Sequence, residues 1–158
     1  MDELRPGLWT WTAAHPEWVP AFEWGPEVRC YAIRAEEMTV LVDPVAPAPP
    51  ADGILLTVPW HRRSADELGL PILDAPPAGI EAYPGFFAEE VAFYVPVHRA
   101  LVVGDAWMDG TPAPSEWATD DPEAPARIRA LLELPFELVL PTHGDVADRA
   151  AFEASLGG

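Results

Sequence analysis

The chain has 158 residues, with 26 acidic side chains against nine basic ones and a formal charge of −17 at neutral pH. Such a surface repels phosphate backbones and anionic bilayers, so no nucleic acid and no membrane partner is expected. Length predicts one domain, residues 1–158, and 49% apolar content is enough to bury an ordinary core.

The residue types that are missing narrow the chemistry further. All nine basic residues are Arg, and Lys, Asn and Gln are absent. That removes Schiff-base and phosphate-loop lysines, amide oxyanion donors and N-glycosylation acceptors. Cys30 stands alone, so an intrachain disulfide and a Cys-rich zinc site are both excluded, and any metal would need His and carboxylate ligands. No stretch reaches the ~18 apolar residues of a membrane helix, and the acidic start Met1 to Arg5 is unlike a leader. A cytoplasmic protein is the expectation; the oligomeric state leaves no signal. The 20 prolines and missing amides fit either thermal adaptation or codon bias.

In chain order, strand-like runs fall at Gly7 to Thr12, Val28 to Arg34 and Met38 to Val42, the last two joined by a turn over 35–37. Pro44 to Pro50 reads as a stiff surface loop. Gly53 to Val58 is a continuously apolar strand, and Ser64 to Leu68 a helix with Glu67 placed for a capping box. Pro71 to Leu73 is extended. Val91 to Val95 and Ala100 to Val103 bracket the turn 96–99 as a hairpin. A helix over Pro122 to Leu134, a strand over Phe136 to Leu140 and a helix over Asp148 to Leu156 complete the chain. Two groups of strands, each closing on a helix, predict an α+β architecture of two packed sheets with helices outside.

Three loops sit at the ends of buried strands: Thr57 to Ser64, Gly104 to Asp109 and Pro141 to Asp145. They carry His61, Asp105, His143 and Asp145. Two histidines and a carboxylate suffice to hold one zinc ion, while a turn or capping role for each residue is the plainer reading.

The order Val40-Leu41-Val42-Asp43-Pro44, Ile54-Leu55-Leu56-Thr57, Phe93-Tyr94-Val95-Pro96, Val102-Val103-Gly104-Asp105-Ala106 and Pro141-Thr142-His143-Gly144 resembles the metallo-β-lactamase superfamily over nearly the whole chain. The resemblance implies a four-layer αββα sandwich and a metal-dependent hydrolase. It implies that Asp105 matches the metal-bridging aspartate and His143 the last histidine ligand. The departures are as telling. The family's Thr-His-x-His-x-Asp-His signature, laid on Thr57, puts Val58, Trp60, Arg62 and Arg63 at the four ligand positions, and a further histidine position falls on Phe86.

An aspartate left without its metals needs another counter-charge. The favoured expectation is therefore no metal, with Arg62 or Arg63 paired to Asp105 and the cleft acting as a small-molecule binding or interaction module without hydrolytic turnover. Its pocket is expected to use Trp60, Arg62, Arg63, Phe86 and Trp107, beside Tyr83 and Phe87. The alternative is a mononuclear zinc hydrolase on His61, Asp105 and His143, with Asp145 or Asp109 as base. Asp105 and Asp145 are the catalytic candidates. Trp9, Trp11, Trp18 and Trp24 form an aromatic N-terminal segment suited to covering a sheet edge or a partner.

Overall fold

The computed structural model describes residues 1–22 and 24–157. Strands β1 (Asp2–Arg5), β2 (Leu8–Ala14), β3 (Glu27–Ala35), β4 (Met38–Val42) and β5 (Gly53–Leu55) form the first sheet, in that order. Its pairs are antiparallel except β4 with β5, which is parallel. Helix α1 (Ala65–Leu68) follows. Strands β6 (Glu81–Pro84), β7 (Val91–Val95) and β8 (Ala100–Val102) open the second sheet. After a small pair, β9 (Trp107–Met108) with β10 (Thr111–Pro112), come α2 (Ala124–Ala130), β11 (Leu138–Leu140), β12 (Ala147–Asp148) and α3 (Arg149–Ser155). The second sheet runs β12-β11-β8-β7-β6, with β8 and β11 parallel.

Strand alternation produces the layers. Tyr31, Ile33, Val40 and Val42 point from the first sheet into one cluster with Phe93, Val95, Val102 and Leu140 from the second. Their sequence neighbours face the other way. Ala32, Leu41 and Ile54 pack on Ala65 of α1, and Tyr94, Leu101 and Val139 pack on Ile128, Leu131 and Phe152 beneath α2 and α3. A period of two sends successive residues to opposite faces, and each large side chain so buried stabilises by roughly 1.5–3 kcal/mol. The result is the predicted αββα sandwich, with a thin outer layer on the α1 side.

Several predicted boundaries change. Asp2–Arg5 is a strand despite its charges, because Arg5 reaches Glu137 at 2.6 Å and the carbonyl of His98 at 2.5 Å. The strand from Gly53 stops at Leu55, where Thr57 turns toward Asp43. The Ser64 hydroxyl makes no capping bond, so the capping box does not form. The helix after Pro122 is Ala124–Ala130, tightening into a 3-10 turn at Leu131–Glu133. Pro44 and Val45, expected at the surface, are buried. No helix among the described residues is long and apolar enough to cross a membrane.

Candidate functional site

The parallel pairs β4–β5 and β8–β11 end at one edge of the sandwich, where loops can converge. Asp43, directly after β4, is 1% exposed at φ +47°. Its Oδ1 accepts the Thr57 N–H (2.9 Å), and its Oδ2 accepts the hydroxyls of Thr57 (2.6 Å) and Thr142 (3.1 Å). It therefore ties the ends of β4, β5 and β11 together. His61, in the 3-10 turn Pro59–Arg62, sets Nδ1 3.0 Å from the same Oδ2. Behind Asp43, Cys30 is fully buried and its Sγ accepts the Val45 N–H at 3.3 Å.

On the other side of the His61 ring, Nε2 lies 3.1 Å from Asp105 Oδ1, and His143 Nε2 lies 3.6 Å from the same oxygen. The Trp60 indole donates to Asp105 Oδ2 at 2.8 Å, fixing the carboxylate. Asp105 Oδ1 and His61 Nε2 are buried, and beyond their contact with each other and the His143 ring they meet no other polar group. One donor atom from each of the three residues lies within 4.8 Å of the others.

The charges follow from this packing. Burial alone would lower the His61 pKa, but the charge of Asp43, the contacts to both aspartates and the charge of Asp105 push it up to about 9. Burial pushes Asp105 upward, yet His61, the Trp60 N–H and His143 outweigh it and hold Asp105 at about 2. His143 goes the other way. Burial, together with the charges of Arg63 and His61, outweighs Asp105 and brings it down to about 4. It is a neutral ring at physiological pH.

The donor set fits a single divalent cation. Ligands ~2.0–2.1 Å from a tetrahedral centre lie about 3.3–3.4 Å apart, and the separations of 3.1 and 3.6 Å bracket that edge. Asp43 behind His61, 3.0 Å from its Nδ1, stands where a carboxylate would orient that imidazole toward an ion. Among the described residues, His61, Asp105 and His143 are the one group of three or more histidine, cysteine or acidic side chains whose donor atoms lie close enough to share an ion.

The arginines do not do what the sequence suggests. Arg62 forks onto Asp66 through Nε (2.9 Å) and Nη2 (2.6 Å) at the exposed start of α1, because a carboxylate one turn away matches its geometry locally. Arg63, at φ +32°, is half-buried with Nη1 unpartnered, and it makes no ion pair with Asp105. The cation beside Asp105 is His61.

The expected pocket is also rearranged. Phe86 is 2% exposed and belongs to the core, while Phe87 faces the cleft in its place. Trp107 is likewise buried, donating to Ser155 at 2.9 Å. Trp24, Trp60, Phe87, Met108 and Trp117 enclose about 260 Å³ above Asp105 and His143. Tyr83 bonds Glu81 elsewhere on the surface. Asp145, 95% exposed, pairs with Arg29 at 2.7 Å, and Asp109 lines a separate groove of about 520 Å³ beyond His143. Neither carboxylate reaches the triad.

Two residues escaped the sequence reading: Asp43, quoted only within a motif, and Glu90. Glu90 is 2% exposed, with Oε1 on the Ala106 N–H (2.8 Å) and Oε2 on the N–H groups of Phe86 (2.7 Å) and Phe87 (3.3 Å). It clamps the Asp105 loop to the Phe87 loop. Gly104, at φ +40°, is required there: a Cβ would lie 2.5 Å from Thr57 Oγ1 and 2.8 Å from Glu90 Oε1.

No protein-family profile and no curated protein sequence matches the chain. Solved structures do. It is similar to a metallo-β-lactamase from Hirschia baltica (17% identity, TM-score 0.65, covering 99% of this chain and 95% of that one). It is similar to the metallo-β-lactamase FIM-1 from Pseudomonas aeruginosa in its mono-zinc form (15%, 0.64, 98% and 92%). A third is ST1585, an archaeal metallo-β-lactamase superfamily protein from Sulfolobus tokodaii (16%, 0.63, 96% and 85%). With the sandwich, the edge site and these superpositions together, the chain has the metallo-β-lactamase fold.

Proposed function

We propose that this protein is a mononuclear metal-dependent hydrolase whose single divalent cation, of zinc-like preference, is held by His61, Asp105 and His143. The observation that carries the reading is the convergence of one buried donor atom each from His61, Asp105 and His143 at ligand spacing, with no polar neighbour outside the group for His61 Nε2 or Asp105 Oδ1. A mono-zinc form among the structures of this fold supports it.

Each residue has a part. Asp43 grips Nδ1 of His61 and so aims Nε2 at the cleft. To take up a cation, Nε2 gives up the proton that the two aspartates otherwise hold up to a pKa of about 9. Trp60 holds Oδ2 of Asp105, leaving Oδ1 toward the histidines. Burial keeps His143 neutral and able to donate a lone pair. The aromatic walls seat the substrate next to these groups. A cation bound there supplies Lewis-acid polarisation of a carbonyl or phosphoryl oxygen and acidifies a water.

A second reading is favoured by the two close contacts of His61, at 3.0 and 3.1 Å. Imidazolium His61, wedged between Asp43 and Asp105, then supplies the counter-charge itself, and the cleft binds a small ligand without turnover. Elemental analysis of protein purified without chelator, alongside p-nitrophenyl acetate hydrolysis, separates the two. One equivalent of zinc and zinc-dependent hydrolysis, both lost in His143→Ala, are expected. Folded wild-type protein that takes up no metal overturns the hydrolase reading in favour of the second.

A further inference from the structure

Around the triad the chain leaves large aromatic side chains in water. Trp60 is 48% exposed and Trp117 39%, while Phe93, Phe136, Phe152 and Trp107 are spent in the cores. Exposed rings clustered at a cavity mark a recognition surface. Here the walls stand at steep angles: Trp60 meets Phe87 edge-on at 5.6 Å and 80°, and Trp24 leans over His143 at 5.4 Å.

The exposed charges beside the rings are acidic. Glu89, Glu116 and Asp120, all exposed, flank Phe87 and Trp117 in the chain, and the protein as a whole carries −17. Arg62 is engaged by Asp66 and Arg127 by Asp121, which leaves the half-buried Arg63 as the one arginine near the triad without an ion pair among the described residues. Ring faces attract a weakly hydrated cation, and an acidic surround attracts cations while repelling anions. A volume of about 260 Å³ lies just under the usual ligand-pocket range, which suits a small molecule.

We propose that this aromatic mouth is a subsite for a small organic cation with a quaternary or tertiary ammonium head. The inference names the substrate class of the cleft and rests on the hydrolase reading for where the reacting group lies; cation recognition itself uses the rings.

The test is calorimetry with three near-isosteric probes: choline, uncharged 3,3-dimethylbutan-1-ol and anionic 3,3-dimethylbutanoate. It is run on zinc-treated and chelator-treated protein with the zinc content measured in each. Choline is expected to bind about fivefold or more tighter than the alcohol, and the anion weakest. Phe87→Leu and Trp117→Leu, neither of which removes a hydrogen bond to the triad, are each expected to weaken choline about threefold or more while weakening the alcohol less. Equal binding of alcohol and choline, preference for the anion, or indifference to both ring substitutions overturns the proposal. Choline binding by a protein that takes no zinc supports the subsite and sinks the metal reading alone. Zinc uptake without choline binding does the reverse.

Discussion

The two loops that carry His61 and Asp105 face each other across 3.1 Å, yet they are held in opposite ways. On the His61 side every polar atom of Asp43 is spoken for: the Thr57 N–H, two hydroxyls and the His61 ring meet its two oxygens. On the Asp105 side, Trp60 fixes one oxygen and the other meets only the rings of His61 and His143, at 3.1 and 3.6 Å. Buried polar groups are normally satisfied, and a carboxylate can accept several bonds, so the contrast separates scaffold from receptor: the first loop is tied to three strand ends, and the second turns an oxygen to two imidazoles where a guest ion would enter.

Substitutions can break that contrast. The largest effect is expected at Asp43. Asp43→Ala strands a buried imidazole and two buried hydroxyls, costing about 3–5 kcal/mol and lowering the thermal midpoint by roughly 10 °C or more; circular dichroism melting measures it. Next is Asp105→Asn, which is expected to cost zinc affinity about 100-fold or more while leaving the melting midpoint far closer to wild type than Asp43→Ala does. Isothermal titration with zinc and a parallel melt read both.

Glu90 gives a pH-dependent distinction. Burial outweighs the three N–H bonds that Glu90 accepts, and Asp105 adds like charge, so its pKa rises from 4.5 to about 7. A carboxyl that binds its proton more tightly when folded contributes stability below pH ~4.5 that is lost as pH climbs through about 7. The depressed His143 contributes the opposite trend between pH 6.5 and about 4, present at the upper end and lost as pH falls. The two overlap in the wild type. The difference in unfolding free energy, Glu90→Gln minus wild type, is therefore expected to rise with pH between about 4.5 and 7, at no more than ~1.4 kcal/mol per pH unit. A flat difference in denaturant titrations across that range would show that Glu90 is not the titrating clamp.

The neighbouring arginines give the smallest effects and the sharpest contrast in kind. Arg63→Ala, by removing a positive charge near the triad, is expected to tighten zinc several-fold. Arg62→Ala removes only an exposed one-turn ion pair, and both stability and zinc affinity are expected to stay within ~0.5 kcal/mol of wild type.

Much of the sandwich is legible in the sequence because alternation is a local signal. Val40-Leu41-Val42 and Phe93-Tyr94-Val95 announce their two faces, and the structure sends those residues to different clusters. β1 was not legible, since the pattern of Asp2–Arg5 is polar and its pairing depends on β2. The convergence of His61, Asp105 and His143 could be raised only as an alternative, because residues 38 and 44 positions apart or more meet through two parallel strand pairs that no spacing reports. The arginine pairing failed for a geometric reason. Sequence places Arg62 and Arg63 at family ligand positions, but the turn at Pro59–Arg62 aims His61 inward and Arg62 outward onto Asp66. Phe86 and Phe87 show the same limit: of two adjacent rings, one enters the core and the other the cleft, in a loop whose N–H groups Glu90 holds from 3 and 4 positions away.

Cys30 offers a way to watch this architecture breathe. It is the chain's single thiol, wholly enclosed in β3, and burial lifts its pKa to about 12, so almost no thiolate exists at neutral pH. An alkylating reagent can modify it only while the strand is transiently detached. The labelling rate thus serves as a built-in clock for local opening behind Asp43, and slower labelling with zinc present would register, at a distance, that the guest has arrived.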